Sequence, residues 1–143
     1  MIALDTNILV YAHRSAVKEH ERAKQVIEEV AASSGGFGFA FSTVCEFWSV
    51  VTHPTASGRP STPAEAAAFI LSLVEDGGAR VWGARPGMTK HLLELAVDLG
   101  VSGPRVFDLQ LAVLALESGA TEIWTHDRGF TRIPGLDVVD PFA

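Results

Sequence analysis

Met1-Ile2-Ala3-Leu4-Asp5-Thr6-Asn7-Ile8-Leu9 opens the chain. Three apolar residues run straight into an aspartate, and an apolar run resumes almost at once. Met1 to Leu4 is too apolar to have one face in water, so it reads as a short strand buried on both sides. Such strands belong to parallel sheets covered by helices, where ligands gather beyond the carboxyl ends of the strands. Asp5 therefore falls where chemistry is expected.

Further along, strand-like and helix-like stretches alternate. Ile8 to His13 is expected to form a short helix. Lys18 to Ser33 is a longer one, with Ala23, Val26, Ile27 and Val30 at helical spacing and Gly35-Gly36 beyond its end. Phe37 to Phe41 is a second strand and Thr43 to Thr52 a helix that stops before His53-Pro54. Residues 56–62 read as a loop. Thr62-Pro63-Ala64-Glu65 then carries the signature of a capping box, opening a helix that runs to about Val74. Arg80 to Trp82 is a third strand. Helices over Thr89–Leu99 and Phe107–Ser118 are closed by Gly100 and Gly119, and Glu122–Thr125 is a fourth strand. Asp137 to Val139 is a candidate fifth. This order predicts an α/β fold, helices on both faces of a central parallel sheet of four to five strands, with right-handed crossovers.

Length and composition agree. The 143 residues suit one domain spanning 1–143, and a hydrophobic fraction of 48% supplies a core. No apolar run approaches the ~18 residues of a membrane span. The N-terminus lacks the basic and small-residue features of a signal peptide, so a cytoplasmic location is expected. Cys45 is the single cysteine, which excludes an internal disulfide and argues against a cysteine-based zinc site. The net charge of −6 counts against nucleic acid unless carboxylates serve as metal ligands, because bound divalent ions reverse the local field.

Four carboxylates are candidates for that role, and topology alone brings them together. Asp5 follows the first strand and Asp127 the fourth. Glu46 lies in the first turns of the helix after the second strand, and Asp108 opens the helix after Gly103-Pro104. Helices that follow parallel strands begin on the edge where those strands end, so all four are expected near one rim. Clustered carboxylates repel and raise one another's pKa, and hard cations such as Mg²⁺ or Mn²⁺ relieve that repulsion. Each residue also has a plainer role: Asp108 as an N-cap, Asp127 as a turn residue, Glu46 as a solvated helix residue. Their joint placement favours the functional one. Arg85, Arg105 and Arg128 are expected in loops near the rim, as candidate phosphate grips or as ordinary surface charge. His126 reads as an exposed turn histidine, Trp82 and Trp124 as core residues, and Cys45 as a small buried side chain.

Four segments in this order resemble the PIN-domain nucleases, and within them the VapC-type toxins of bacterial toxin–antitoxin pairs. They are Leu4-Asp5-Thr6-Asn7-Ile8-Leu9, Ser42-Thr43-Val44-Cys45-Glu46-Phe47, Arg105-Val106-Phe107-Asp108-Leu109-Gln110-Leu111-Ala112, and Thr125-His126-Asp127-Arg128-Gly129-Phe130 followed by Ile133-Pro134-Gly135-Leu136. The resemblance covers nearly the whole chain. It implies a PIN-like three-layer fold, a divalent metal (Mg²⁺ or Mn²⁺) and endonucleolytic cleavage of RNA, often structured RNA such as tRNA or rRNA. It also implies a homodimer and a cognate antitoxin that blocks the acidic site. Asp5, Glu46, Asp108 and Asp127 carry over as the catalytic, metal-binding acids, with Thr125 and Asn7 supporting. The competing interpretations are a PIN-like module that binds RNA or protein without cutting, and a phosphatase of the haloacid-dehalogenase type. The second wants an aspartate two positions after Asp5, where this chain has Asn7.

Overall fold

The computed structural model describes residues 1–56 and 58–143. The loop expected over 56–62 includes Ser57, which lies outside the described residues. Five strands form one sheet: β1 (Ile2–Leu4), β2 (Phe37–Ala40), β3 (Arg80–Trp82), β4 (Glu122–Trp124) and β5 (Asp137–Val139). Their order is β3-β2-β1-β4-β5, every pairing is parallel, and β1 is central. The expected α/β/α architecture is the one observed.

Alternate strand residues serve the two faces. Leu4, Phe37 and Phe39 point into one cluster with Ile8, Val26, Phe47 and Ile70. Its helices are α1 (Thr6–His13), α2 (His20–Ala32), α3 (Phe41–Thr52) and α4 (Pro63–Leu71). Ala3, Ala40 and Ile123 point into the other, with Leu109, Val113 and Met88 from α5 (Met88–Leu99) and α6 (Arg105–Glu117). Trp82 closes that face over Gly38, where a Cβ would lie 2.6 Å from the indole. Trp124 packs partly buried against the first cluster.

Local chemistry explains the element boundaries. Asp5 caps α1 by accepting from the Thr6 amide at 2.7 Å, so the helix begins two residues earlier than the apolar run suggests. The Thr62–Glu65 capping box is fully formed. Helix α4 passes into a π-helical turn, Ser72–Asp76, where simple continuation to about Val74 was expected. Gly100 (φ 64°) and Gly119 (φ 96°) take the left-handed conformation that ends α5 and follows α6. Strands β4 and β5 run parallel although residues 125–136 between them contain no helix. Helix α6 starts at Arg105, with Pro104 at its N-cap, two residues before the expected start. That shift puts Arg105 in a helical first turn instead of a loop.

Candidate active site

Asp5 is the centre of a hydrogen-bond network at the carboxyl edge of the sheet. Its Oδ1 accepts from the Thr6 amide, and its Oδ2 accepts from the Thr125 hydroxyl at 2.7 Å and from Asn7 Nδ2 at 3.4 Å. Thr125 is buried, and its Oγ1 also accepts from Asn7 Nδ2 (3.1 Å) and from the Asp127 amide (3.0 Å). Asn7 Oδ1 accepts in turn from the His126 amide. The strand β1 end and the strand β4 end are thus tied by side chains as well as by the sheet. Register makes this possible, because Leu4 lies opposite Trp124 and both chains leave the sheet at the same level.

Burial pushes the Asp5 carboxyl up to about 6. The Thr125 and Thr6 hydrogen bonds oppose that rise, and the nearby charges of Glu46 and Asp108 add to it. Such crowding is what a cation would relieve.

Asp5, Glu46, Asp108 and Asp127 all line one open pocket of about 850 Å³. Glu46 is exposed on α3. Asp108 lies in the first turn of α6 and is not its cap. Asp127 has a turn role as well, since its Oδ1 accepts from the Gly129 amide at 2.9 Å. Its Oδ2 pairs with Arg105 Nη1 at 3.3 Å, and the same nitrogen reaches Asp108 Oδ2 at 3.0 Å. Gly129 leaves room for this guanidinium: a Cβ there would sit 2.5 Å from Arg105 Nη2.

Among the described residues no three acids, histidines or cysteines stand close enough to enclose an ion as they are. The donor set nevertheless fits a hard divalent cation. Mg²⁺ keeps several of its waters and takes one or two carboxylates at a time, so a closed protein cage is not required. The donors are carboxylate oxygens, and the Thr6 hydroxyl beside them is buried without a partner.

Three placements differ from expectation. Arg85 donates to the carbonyl of Glu117, at the far end of α6 and roughly 14 Å along that helix from Asp108. The segment after β3 descends beside α6 and carries Arg85 away from the rim. Cys45 is exposed on the pocket lining, because α3 turns its Cys45–Glu46 edge outward and its Thr43–Phe47 edge inward. His126 is half-buried: its Nδ1 lies 3.0 Å from Asp140 Oδ1, and its ring packs against Phe142 and Tyr11. Asp140 and Tyr11 went unnoticed in the sequence, since nothing local marks a contact spanning fourteen residues or more. Arg128 is exposed beside Asp127. Trp48 is 38% exposed and so faces outward.

Carboxylates collected over the carboxyl edge of a five-stranded parallel sheet, tied by an Asp–Thr–Asn network, define an α/β nuclease of the acidic-site type. The chain belongs to the PIN domain family, whose profile matches residues 2–136. It is similar to Ribonuclease VapC43 of Mycobacterium tuberculosis, at 33% identity over 95% of this chain and 92% of that protein. Ribonuclease VapC48 of the same organism is 30% identical over 97% and 96%. Among solved structures, VapBC2 from Rickettsia felis, bound to a DNA fragment from its promoter, superposes with a TM-score of 0.69 at 20% identity, covering 97% of this chain and 98% of that one. Among the described residues no helix is long and apolar enough to cross a membrane.

Proposed function

We propose that residues 1–143 form one PIN domain that acts as a divalent-metal-dependent endoribonuclease, the toxin of a toxin–antitoxin pair. The observation that carries this is the gathering of Asp5, Glu46, Asp108 and Asp127 on one pocket, with full-length relatives named as VapC ribonucleases. The four acids hold the metal, and Mg²⁺ or Mn²⁺ suits their oxygens equally. When bound, such an ion activates water and stabilises the charge that develops on a phosphodiester. Thr125 and Asn7 fix the Asp5 carboxylate, and Thr125 also fixes the Asp127 backbone. Arg105 and Arg128 are the arginines that stand at the acids and can grip the RNA backbone. Arg85 has no part in this arrangement.

The substrate is RNA, with structured targets such as tRNA or rRNA as the expected class, and the work is done in the cytoplasm. The partner is an antitoxin protein that covers the acidic pocket. A homodimer is supported by the exposed apolar side chains of α5, namely Leu93, Val97 and Leu99, which a lone chain leaves in water.

The test is incubation of purified, antitoxin-free protein with total bacterial RNA and Mg²⁺ or Mn²⁺, beside an EDTA control and Asp5→Asn. Discrete fragments that need metal and vanish in the variant are expected, and their ends identify the target. Well-folded protein that cuts no RNA with either metal would instead favour the non-cleaving binding module.

A further inference from the structure

A chain of net charge −6 that gathers four acids at its site has a physical difficulty with RNA, because phosphates are repelled where they must arrive. Among the described residues that line the pocket there is no lysine or arginine. The rest of the lining offers a different resource. Val10, Tyr11, Val50, Pro104, Phe107 and Leu111 make much of it apolar.

Phe107 is the unusual member. It is 65% exposed, while Leu109 and Leu111 on the same helix are 0% and 3% exposed. It directly precedes Asp108 in the first turn of α6, and both residues line the pocket. A phenyl group left in water contributes nothing to the fold. It also offers nothing to a phosphate. To a nucleobase it offers a face, and base–aromatic stacking does not depend on the charge of the protein because the base is neutral. A pocket of about 850 Å³ is within the range that encloses nucleotide-sized ligands.

We propose that Phe107 is the platform of a nucleobase subsite, on which an unpaired base flanking the cleaved phosphate stacks. This deepens, and rests on, the ribonuclease reading. It adds stacking to the charge of Arg105 and Arg128 as a source of affinity in an acidic protein. It also defines the substrate class: RNA that presents a base outside a helix, in a loop, bulge or single strand. A base already stacked within a duplex has no free face to offer.

The binding test uses Asp5→Asn protein, so that RNA is held and not consumed. The probe is a single strand of about 12 nucleotides alternating 2-aminopurine and uridine, since sites of this kind span a few to some sixteen nucleotides. Its comparison is the same strand annealed to a complement. The single strand is expected to bind more tightly than the duplex, with quenched 2-aminopurine fluorescence and only a shallow loss of affinity on adding KCl. Adding Phe107→Ala should weaken single-strand binding by about 5- to 100-fold and abolish the quench, whereas Phe107→Trp should keep both. In the otherwise wild-type enzyme, Phe107→Ala should raise KM for total-RNA cleavage more than it lowers kcat. Because Phe107 is exposed, its thermal unfolding should be unchanged.

Equal affinity for strand and duplex, or an unaltered Kd in Phe107→Ala, would overturn the proposal. So would a Phe107→Ala variant that changes oligomeric state by light scattering while binding RNA normally, which would make the phenyl an intersubunit contact. Cleavage by the wild type is read separately. An enzyme that cuts RNA but ignores Phe107 sinks the subsite alone, and a chain that binds the strand through Phe107 yet never cuts RNA sinks the ribonuclease reading alone.

Discussion

The Thr125 hydroxyl donates to Asp5 Oδ2 at 2.7 Å across 120 residues of sequence, and it simultaneously accepts from Asn7 and from the Asp127 amide. One oxygen thereby sets the orientation of two acidic segments. Thr125→Val is nearly isosteric but removes the shortest bond to Asp5 Oδ2 and the acceptor of the Asp127 amide. Loss of about 1–3 kcal/mol of stability is expected. Cleavage should fall by about 10- to 100-fold, the usual consequence of freeing a carboxylate in the metal-binding role proposed for Asp5. Thr125→Ser keeps the hydroxyl and should retain most of both. Urea unfolding and RNA cleavage of the two variants provide the check.

Asp5 itself should carry a stability cost. Its carboxyl is raised from 3.8 to about 6 by burial, so the folded chain binds its proton more tightly than the unfolded chain does. The stabilising protonated form is fully present below pH 3.8 and lost as pH rises through about 6. At about 1.4 kcal/mol per pH unit, ionised Asp5 costs on the order of 2–3 kcal/mol at neutral pH in the absence of metal. Asp5→Asn should therefore raise the melting temperature in EDTA at pH 7 while abolishing cleavage. A lowered melting temperature would contradict this account.

Arg105 pairs with Asp108 and Asp127 through one nitrogen and so competes with any cation for the same oxygens. Arg105→Ala should tighten Mn²⁺ binding to RNA-free protein by about 3- to 10-fold and weaken RNA binding, opposite signs that a mere surface charge would not produce. Calorimetric titration of metal and filter binding of RNA separate the two.

Gly129→Ala tests the same contact from the other side. The added methyl would meet the flexible end of Arg105, 2.5 Å from Nη2, and push it off Asp127. Stability should change by no more than about 0.5 kcal/mol, since the guanidinium can move aside. Metal affinity should shift in the direction of Arg105→Ala, by a smaller factor.

His13 gives a second pH signature of opposite sign. Burial, with the neighbouring Arg14 charge, holds its pKa below 6.5, and its Nε2 meets Ser61 Oγ at 2.7 Å. The unfolded chain therefore takes up the proton first. The associated stability is present above pH 6.5 and is lost as pH falls through the lower folded value. Urea midpoints measured in the Asp5→Asn background, free of the Asp5 contribution, should fall on acidification below that pH. The slope should flatten when His13 is also replaced by Gln.

The four acids were legible from the chain because parallel topology alone assigns strand ends and following helix starts to one edge. Glu46 and Asp108 needed only the correct order of elements. What escaped notice depended on finer geometry. Pro104 as the N-cap, and not the apolar stripe beginning at Phe107, fixes the start of α6, and only that start puts Arg105 one turn before Asp108. The path of residues 83–87 decides that Arg85 reaches Glu117 instead of the rim. His126 and Asp140 are joined by the side-by-side packing of β4 and β5, whose connection contains no helix to announce a parallel pair. The outward face of Cys45 follows from the rotation of α3, set by Thr43 and Phe47 turning inward.

The strand order carries a consequence for synthesis. The central strand, β1, is made before all the others, yet one of its two neighbours, β4, follows only after β2, β3 and six helices. Until β4 docks, Asp5 has neither Thr125 nor Asp127 beside it. A growing chain thus emerges disarmed, and an enzyme whose substrate is RNA gains its cutting edge only once β4 has left the ribosome.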